Sequence, residues 1–561
     1  MRRAARRHAR TPPREAPIIR PVTTPAATLA RDQQRASDAR PYDLSRALGT
    51  YDRILDRAYQ VARRAASDNR RVEPAAEWLT DNVYLIRNEI REVREALPPR
   101  TWRALPCCEA RQGLAVAVPR MLRVVRAALG RLDGSVEPTA IEHYLAEYQQ
   151  HAPLKLVELW ALPALIRVAL IEGLAAGAAA ISERLEAYSR AEHWAERLIA
   201  IAANPRGNML VSVAEMAKTD PFASSAFAAE FYRLLEGKHP ALKLALSFAE
   251  QQLEQRGASV AQAIEEESRV QAADQVALAN RINSLRQLTE HNWPELIERV
   301  GGVDQVLARD PAGAYARMDF ATRGRYRNAV EKLAALSGHD ELDVARRALA
   351  LAERPCASNS DPRTRHVGYY LVGPGRFAFA HALGARTPPD HRLAARLRRW
   401  PSLTYLGGIF AGSLVITALI ASGHNLFLAS APAPLPLDVA LLVALFVAAS
   451  QPAVTLVNWL LGMLVPPRLL PRMSYAGGIP DDCRTLVVVP WLLGSEPGLE
   501  NQLAELEIRY LGNRDPNLRF ALLTDFPDAP HRDMPGDAAL LAAATRGIDR
   551  LNAKYPLAHT T

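Results

Sequence analysis

At 561 residues the chain is too long for one hydrophobic core, so several domains are expected. Its formal charge of +9 leaves room for an anionic partner, and its four cysteines are too few and too irregularly spaced for a disulfide framework or a zinc site. No apolar segment follows the basic start, so no secretory signal peptide is expected there.

Residues 1–41 are rich in Arg, Pro and Ala, with Arg2, Arg3, Arg6, Arg7, Arg10 and Arg14 clustered and no periodicity. A disordered basic tail is expected. Its better partner is a lipid headgroup, because no aromatic residues are interleaved to stack on the bases of a nucleic acid.

From 42 to 352 apolar residues recur at helical spacing, as in Trp78, Leu79, Val83, Ile86, Ile90 and Val93. Pro98, Pro106, Pro119, Pro153 and Pro163 mark turns, kinks or helix starts. Asp319, followed by Thr322 and Arg323, reads as a turn or helix start. No alternating run argues for a sheet, so the expectation is an all-α domain. Its many carboxylates read as solvated helix faces, and His143, His193, His291 and His339 as isolated structural residues. Cys107, Cys108, Cys356 and Cys483 read as reduced thiols.

Residues 353–400 form a Pro-containing linker, in which His366–Val372 is compatible with one short strand. Two uncharged apolar runs follow, Ser402–Gly423 and Val439–Val465, predicting membrane helices over 401–423 and 438–466. Each is long enough for a hydrocarbon core of about 30 Å. Arg392, Arg396, Arg398 and Arg399 precede the first run and Arg468 and Arg472 follow the second, whereas the connector from His424 to Leu437 has no Lys or Arg. This asymmetry predicts a hairpin with both outer ends in the cytoplasm, and Trp400 and Tyr405 stand where interfacial anchors belong. The competing reading is a pair of buried helices in a large soluble core.

Over 480–561 the pattern changes to strand, helix, strand, helix. Thr485–Pro490 and Phe520–Thr524 read as buried parallel strands, Glu500–Leu511 and Ala538–Tyr555 as helices. In such a βαβα unit the ligand lies at the carboxyl ends of the strands, here Pro490–Ser495 and Asp525–Asp528. Asp525 is positioned either to accept hydrogen bonds from a ribose or base, or only to cap the next turn. Gly494 and Gly498 make neither a dinucleotide fingerprint nor a P-loop.

Several blocks are similar to the amino-terminal part of bacterial cyclic β-1,2-glucan synthases. They are Pro74–Leu79 with Asp81-Asn82 and Ile90–Glu95, Leu159–Pro163, Tyr315–Arg323 with Arg325-Tyr326-Arg327, His366–Leu371, Leu486–Pro490, Asn513–Leu518 and Phe520–Phe526. The likeness runs from about residue 43 to the end, and Tyr315–Arg323 is its most specific block. The resemblance implies a mainly α chain: a large cytoplasmic all-helical domain, a two-helix transmembrane hairpin, then the start of a GT-A-like α/β glycosyltransferase domain. It implies a processive enzyme of the bacterial inner (cytoplasmic) membrane, multi-pass with both termini cytoplasmic, that builds β-1,2-glucan from UDP-glucose on the protein itself and closes it into a ring. Its partners would be UDP-glucose, β-1,2-glucan and the lipid bilayer, with no nucleic acid, and Mg or Mn is expected for the complete enzyme. Asp525, with Pro490 on the neighbouring strand, matches the acidic strand end that contacts uridine in related transferases. Trp491 stands where a small polar residue is expected. The family's later catalytic carboxylates have no counterpart here, so no catalytic residue is assigned and this chain alone is expected to be inactive. The alternative is a non-enzymatic, membrane-anchored helical module that binds a partner or the nascent glucan.

Overall fold

The stretch Leu162–Ile181, which opens the helix Leu162–Ala202, is apolar apart from Arg167 and Glu172, and so wide an apolar surface has to be enclosed. The computed structural model shows how. It describes residues 25–31, 40–109, 116–204, 207–219, 221–354, 361–385, 397, 400–427, 435–465, 470–532 and 534–556. The arginine cluster at 2–14, Cys356, Arg392, Arg396, Arg398, Arg399 and Arg468 lie outside these residues. The chain forms two compact units. The first runs to Arg309 and adds Leu333–Ala335 and His339–Leu349. The second holds Asp310–Lys332, Leu336–Gly338 and the chain from Ala350 onward.

In the first unit, helices α1 (Leu44–Ser67), α2 (Pro74–Ala96) and α3 (Arg120–Arg131) precede the 41-residue helix α4 (Leu162–Ala202), and α5 (Ser225–Leu235) and α6 (Val260–Gln287) follow it. All five pack against α4. Their starts are locally encoded. Asp43 accepts the Arg46 N–H at 3.0 Å to cap α1, Pro74 opens α2, and Ser259 and Gln262 form a reciprocal capping box at α6. By length and composition α4 would also cross a membrane, a third candidate beside the two runs read from the sequence. Its burial decides otherwise: 61% of its apolar window is enclosed within the protein, against 11% for each of the other two.

The carboxylates of this unit are not all solvated faces. Glu73, Glu89, Glu158, Glu172, Glu230 and Glu267 are buried. Arg126 meets Glu172 at 2.7 Å, Arg167 meets Glu89 at 2.7 Å, and Arg120 grips Glu158 through two nitrogens at 2.7 and 2.5 Å. Arg184 bonds both oxygens of Glu73 at 3.2–3.3 Å and reaches Asp274 at 2.6 Å, while the Tyr188 hydroxyl donates to Glu267 at 2.5 Å. Helix surfaces that face α4 leave the water, so their charges need partners there.

A small sheet also occurs within this largely helical unit. Strand β1 (Arg40–Pro41) runs parallel to β3 (Val116–Pro119), which pairs antiparallel with β2 (Cys107–Glu109). Strands of two to four residues are too short to display alternation in the sequence. Cys107 and Cys108 on β2 and Cys483 in the second unit are free thiols, and burial pushes the first two above the usual thiol range.

The second unit contains most of α7 (Phe320–Ser337), the short helix α8 (Val367–Leu371), the apolar helices α9 (Pro401–Phe427) and α10 (Leu435–Leu464), and the ordered elements β4 (Thr485–Leu492), α11 (Glu496–Gly512), β5 (Leu518–Asp525) and α12 (Asp537–Lys554). The strand expected within His366–Val372 is helix α8 instead. Its buried residues are Val367, Gly368 and Leu371, a helical spacing, and Tyr369 and Tyr370 are half-buried. Helices α9 and α10 pack antiparallel through small residues. A Cβ on Gly408 would lie 3.5 Å from Val457, and one on Gly412 would lie 3.2 Å from the Ala453 Cβ. Gly408 and Gly412 are a small-xxx-small pair, which lets two helix backbones approach closely. Leu403, Phe410, Val415, Leu419, Leu441, Val447 and Trp459 point outward and are exposed.

The buried pairs can be tested against an exposed one. Arg184→Ala strands Glu73 without its cation and is expected to destabilise the first unit by about 3–5 kcal/mol. Arg57→Ala removes an exposed ion pair to Glu186 and is expected to cost under about 1 kcal/mol. Thermal melts of the detergent-solubilised protein would rank the two.

Candidate functional site

The chain enters β4 through a polar lock. Asp515 accepts the N–H groups of Ile479 and Asn517, each at 2.8 Å. The Asn517 side-chain amide donates to the Ile479 carbonyl at 2.8 Å and to Asp481 at 2.9 Å, and its backbone carbonyl accepts the Thr485 N–H at 2.9 Å. These bonds fix the amino ends of both strands and so their register. Thr485 stands opposite Leu518, and the parallel pairing continues without a break to Leu492 opposite Asp525.

Side chains alternate across a strand. Trp491 and Leu522 belong to one face, which packs on Leu499 and Leu503 of α11 and Ala544 of α12. The other face carries Leu486, Val488, Pro490 and Leu492 beside Ala521, Leu523 and Asp525, and it is largely bare. Leu486, Leu492 and Leu523 are 58%, 58% and 61% exposed. The strands are therefore covered on one side only, not buried on both as a continuous apolar run predicts. The helices present, α11 and α12, lie on the same side.

Asp525 and Pro490 are brought together on the bare face at the carboxyl end of the pair. Pro490 stands opposite Leu523, two residues before Asp525. One Asp525 oxygen accepts the Phe526 N–H at 2.9 Å, and its backbone carbonyl accepts the Leu493 N–H at 2.7 Å. The residue thus caps the turn that follows, and its side chain still reaches solvent. Asp528 is also exposed, three residues on. Trp491 turns to the opposite face, where its ring lies 3.2 Å from the position of a Cβ on Gly498. It does not crowd Asp525. A groove of about 830 Å³ between α11 and α12, lined by Glu496, Glu500, Arg546 and Arg550 among others, includes neither Asp525 nor Pro490. Among the described residues no three His, Cys, Asp or Glu side chains converge on a metal position. Asp525 and Asp528 are the two carboxylates at this strand end, and Mg is commonly held by one or two carboxylates together with substrate phosphates and water.

A second polar constellation was not legible in the sequence. Asp310 is buried and accepts from His366 Nδ1 at 2.6 Å and from the Val367 N–H at 3.0 Å. His366 Nε2 lies 3.0 Å from the buried Tyr326 hydroxyl. Burial pushes the Asp310 carboxyl up, but the His366 and Val367 hydrogen bonds outweigh it and hold the group below the usual carboxylate range. Burial and the neighbouring Asp310 charge push Tyr326 up to about 12. A Cβ on Gly368 would fall 2.4 Å from the Tyr326 oxygen, so only glycine closes this corner. The buried hydroxyl has no room for a substrate, and the arrangement works as a lock between the start of α8 and α7. Tyr326 and His366 stand in conspicuous sequence blocks. Asp310 lies 56 residues before His366 and carries no local signal.

No family model matches the chain. It is similar to the amino-terminal part of the cyclic β-(1,2)-glucan synthase NdvB of Rhizobium meliloti (strain 1021), at 29% identity over 504 residues, which is 89% of this chain. The chain spans 17% of the length of that curated relative.

Asp310→Asn is expected to lower the stability of the second unit by about 1.5–3 kcal/mol, the range for hydrogen bonds to charged groups. Because the folded carboxyl titrates below its unfolded value of about 3.9, its stabilisation is complete above that value and disappears as pH falls through the lower folded one. Melts taken across that acid window should show a steeper loss in the parent protein than in Asp310→Asn.

Proposed function

We propose that this chain is the amino-terminal part of a membrane-bound glycosyltransferase that makes cyclic β-1,2-glucan from UDP-glucose. The observation that carries the reading is the 29% identity, over 89% of the chain, to a protein named as a cyclic β-(1,2)-glucan synthase. Two features support it. Helices α9 and α10 are long and apolar enough to span a bilayer and present apolar side chains outward. Strands β4 and β5 are parallel, and the second ends in an exposed acidic residue.

In this reading α9 and α10 form a hairpin in the inner membrane with both outer ends cytoplasmic. Asp525 accepts a hydrogen bond from the uridine of UDP-glucose, and Pro490 borders it. No group assigned here abstracts a proton from the attacking sugar hydroxyl, so chemistry requires residues beyond this set. The second reading, an anchored module that binds a partner or nascent glucan, draws on the same shortage of acid–base groups around Asp525.

The test is transfer of radiolabelled glucose from UDP-glucose by membranes that hold this chain, with and without the remaining length of a relative supplied downstream. Transfer only in the extended form supports the proposal. Absence of transfer and of UDP-glucose binding in both forms favours the anchored module. In the extended form, Asp525→Asn is expected to raise the KM for UDP-glucose about tenfold, equivalent to about 1.4 kcal/mol of lost binding. Unchanged KM would remove Asp525 from the nucleotide site.

A further inference from the structure

The block Tyr315–Arg323 is the most distinctive stretch of the chain, and it performs no chemistry in the site described above. Its contacts point elsewhere. Met318 pairs antiparallel with Met473, just beyond the end of α10. The Asp319 N–H donates to the Arg472 carbonyl at 2.9 Å, and the Ser474 N–H donates to the Arg317 carbonyl at 2.7 Å. The Thr322 hydroxyl oxygen accepts the Arg472 N–H at 3.0 Å. Thr322 is held in turn at the first turn of α7, where Asp319 accepts its N–H at 2.8 Å. Met318 and Thr322 are 3% and 4% exposed, while Arg317, Arg472 and Ser474 lie at the surface. Helix α10 ends at Leu464, and the polar lock on β4 begins at Ile479. The connecting segment is therefore fastened at two places: Arg472–Ser474 on the start of α7, and Ile479–Asp481 on Asp515 and Asn517.

We infer that Met318, Asp319 and Thr322 form a clamp that holds Arg472–Ser474, on the way from the second apolar helix to β4, in one register against the start of α7, so that β4 begins at a fixed distance from α7. They are positioning residues, acting through Arg472–Ser474 on the strands that carry Pro490 and Asp525. Rejection of side-chain chemistry at the clamp follows from its composition, since most of its bonds come from backbone groups. The bonds specify a path for the chain, and a path is what a short connector between an anchor and a sheet requires. The membrane part of this inference rests on the reading under Proposed function.

The pattern of the two backbone bonds makes Met318 and Met473 a non-hydrogen-bonded antiparallel pair, with Cα atoms about 4.5 Å apart, within disulfide range. In membranes holding the full chain, Met318→Cys with Met473→Cys should crosslink on mild oxidation. Met318→Cys with Ser474→Cys, whose second side chain leaves the other face, should not. Trypsin cleavage after Arg472 should rise about tenfold in Thr322→Val, as the clamp opens more often, and stay at the parent rate in Thr322→Ser, which keeps the acceptor. Oxidising the cysteine pair in the Thr322→Val background should restore the parent rate, a rescue that a folding defect would not show. A pair that fails to crosslink in the otherwise native chain, or cleavage of Thr322→Val at the parent rate, overturns the clamp. Alkaline extraction of the same membranes tests the anchor separately. Release of the chain would refute the membrane reading while leaving the crosslinking result intact.

Discussion

The enclosure of α4 is the constraint from which the first unit is built. The apolar stretches of α4 have no stable place in water, and α1, α2, α3, α5 and α6 each cover part of the helix. That enclosure takes charged side chains out of water as well. The Arg184 guanidinium, among Glu73, Asp274 and Glu267, is the clearest result. Desolvation of such groups consumes most of their mutual attraction, so the network adds little net stability over an apolar equivalent. Its stronger effect is on register. Arg184 of α4 can meet Glu73, just before α2, and Asp274 of α6 together only when the three helices stand at one set of heights. The Arg126–Glu172 and Arg167–Glu89 pairs impose the same condition between α4 and its neighbours α3 and α2.

The legible parts of the chain are those whose cause is local. The strands of the α/β segment and the cap at Asp319 stand close to where the residues place them, because β-branched runs and an Asp three residues before Thr322 act over a few positions. The apolar helices α9 and α10 likewise follow from local hydropathy. What was illegible depends on distant partners. Glu73 meets Arg184 across 111 residues and Glu158 meets Arg120 across 38, so nothing near either carboxylate distinguishes it from a solvated one. Arg167, Glu172 and Arg184 already set α4 apart from the two uncharged runs in the sequence, and the fold adds its enclosure. His366–Val372 failed as a strand for a similar reason: Asp310 fixes His366 and so the point at which α8 begins.

At the candidate site the sequence located Asp525 and Pro490 at a strand end, and the fold adds which face they share. That face is a continuous apolar strip through Leu486, Val488, Leu492 and Leu523. Anything that covers the strip also forms a wall beside Asp525. The electrostatics and water access of that carboxylate are therefore set by the covering element as much as by the residue itself. The opposite end of the strands needs no such completion, since Asp515 and Asn517 satisfy the loop bonds there from within.

The order of helices around α4 bears on how the protein is made. A ribosome delivers α4 before α5 and α6, and at that moment a long apolar helix is available to be mistaken for a membrane segment. Helices α1, α2 and α3 already exist by then and bring Glu89 and Glu172's partner Arg126 to meet it. Charged residues within α4 itself, Arg167, Glu172 and Arg184, raise the cost of insertion into lipid. The charges that form buried ion pairs in the mature fold thus also distinguish α4 from the uncharged run of α9 in the nascent chain.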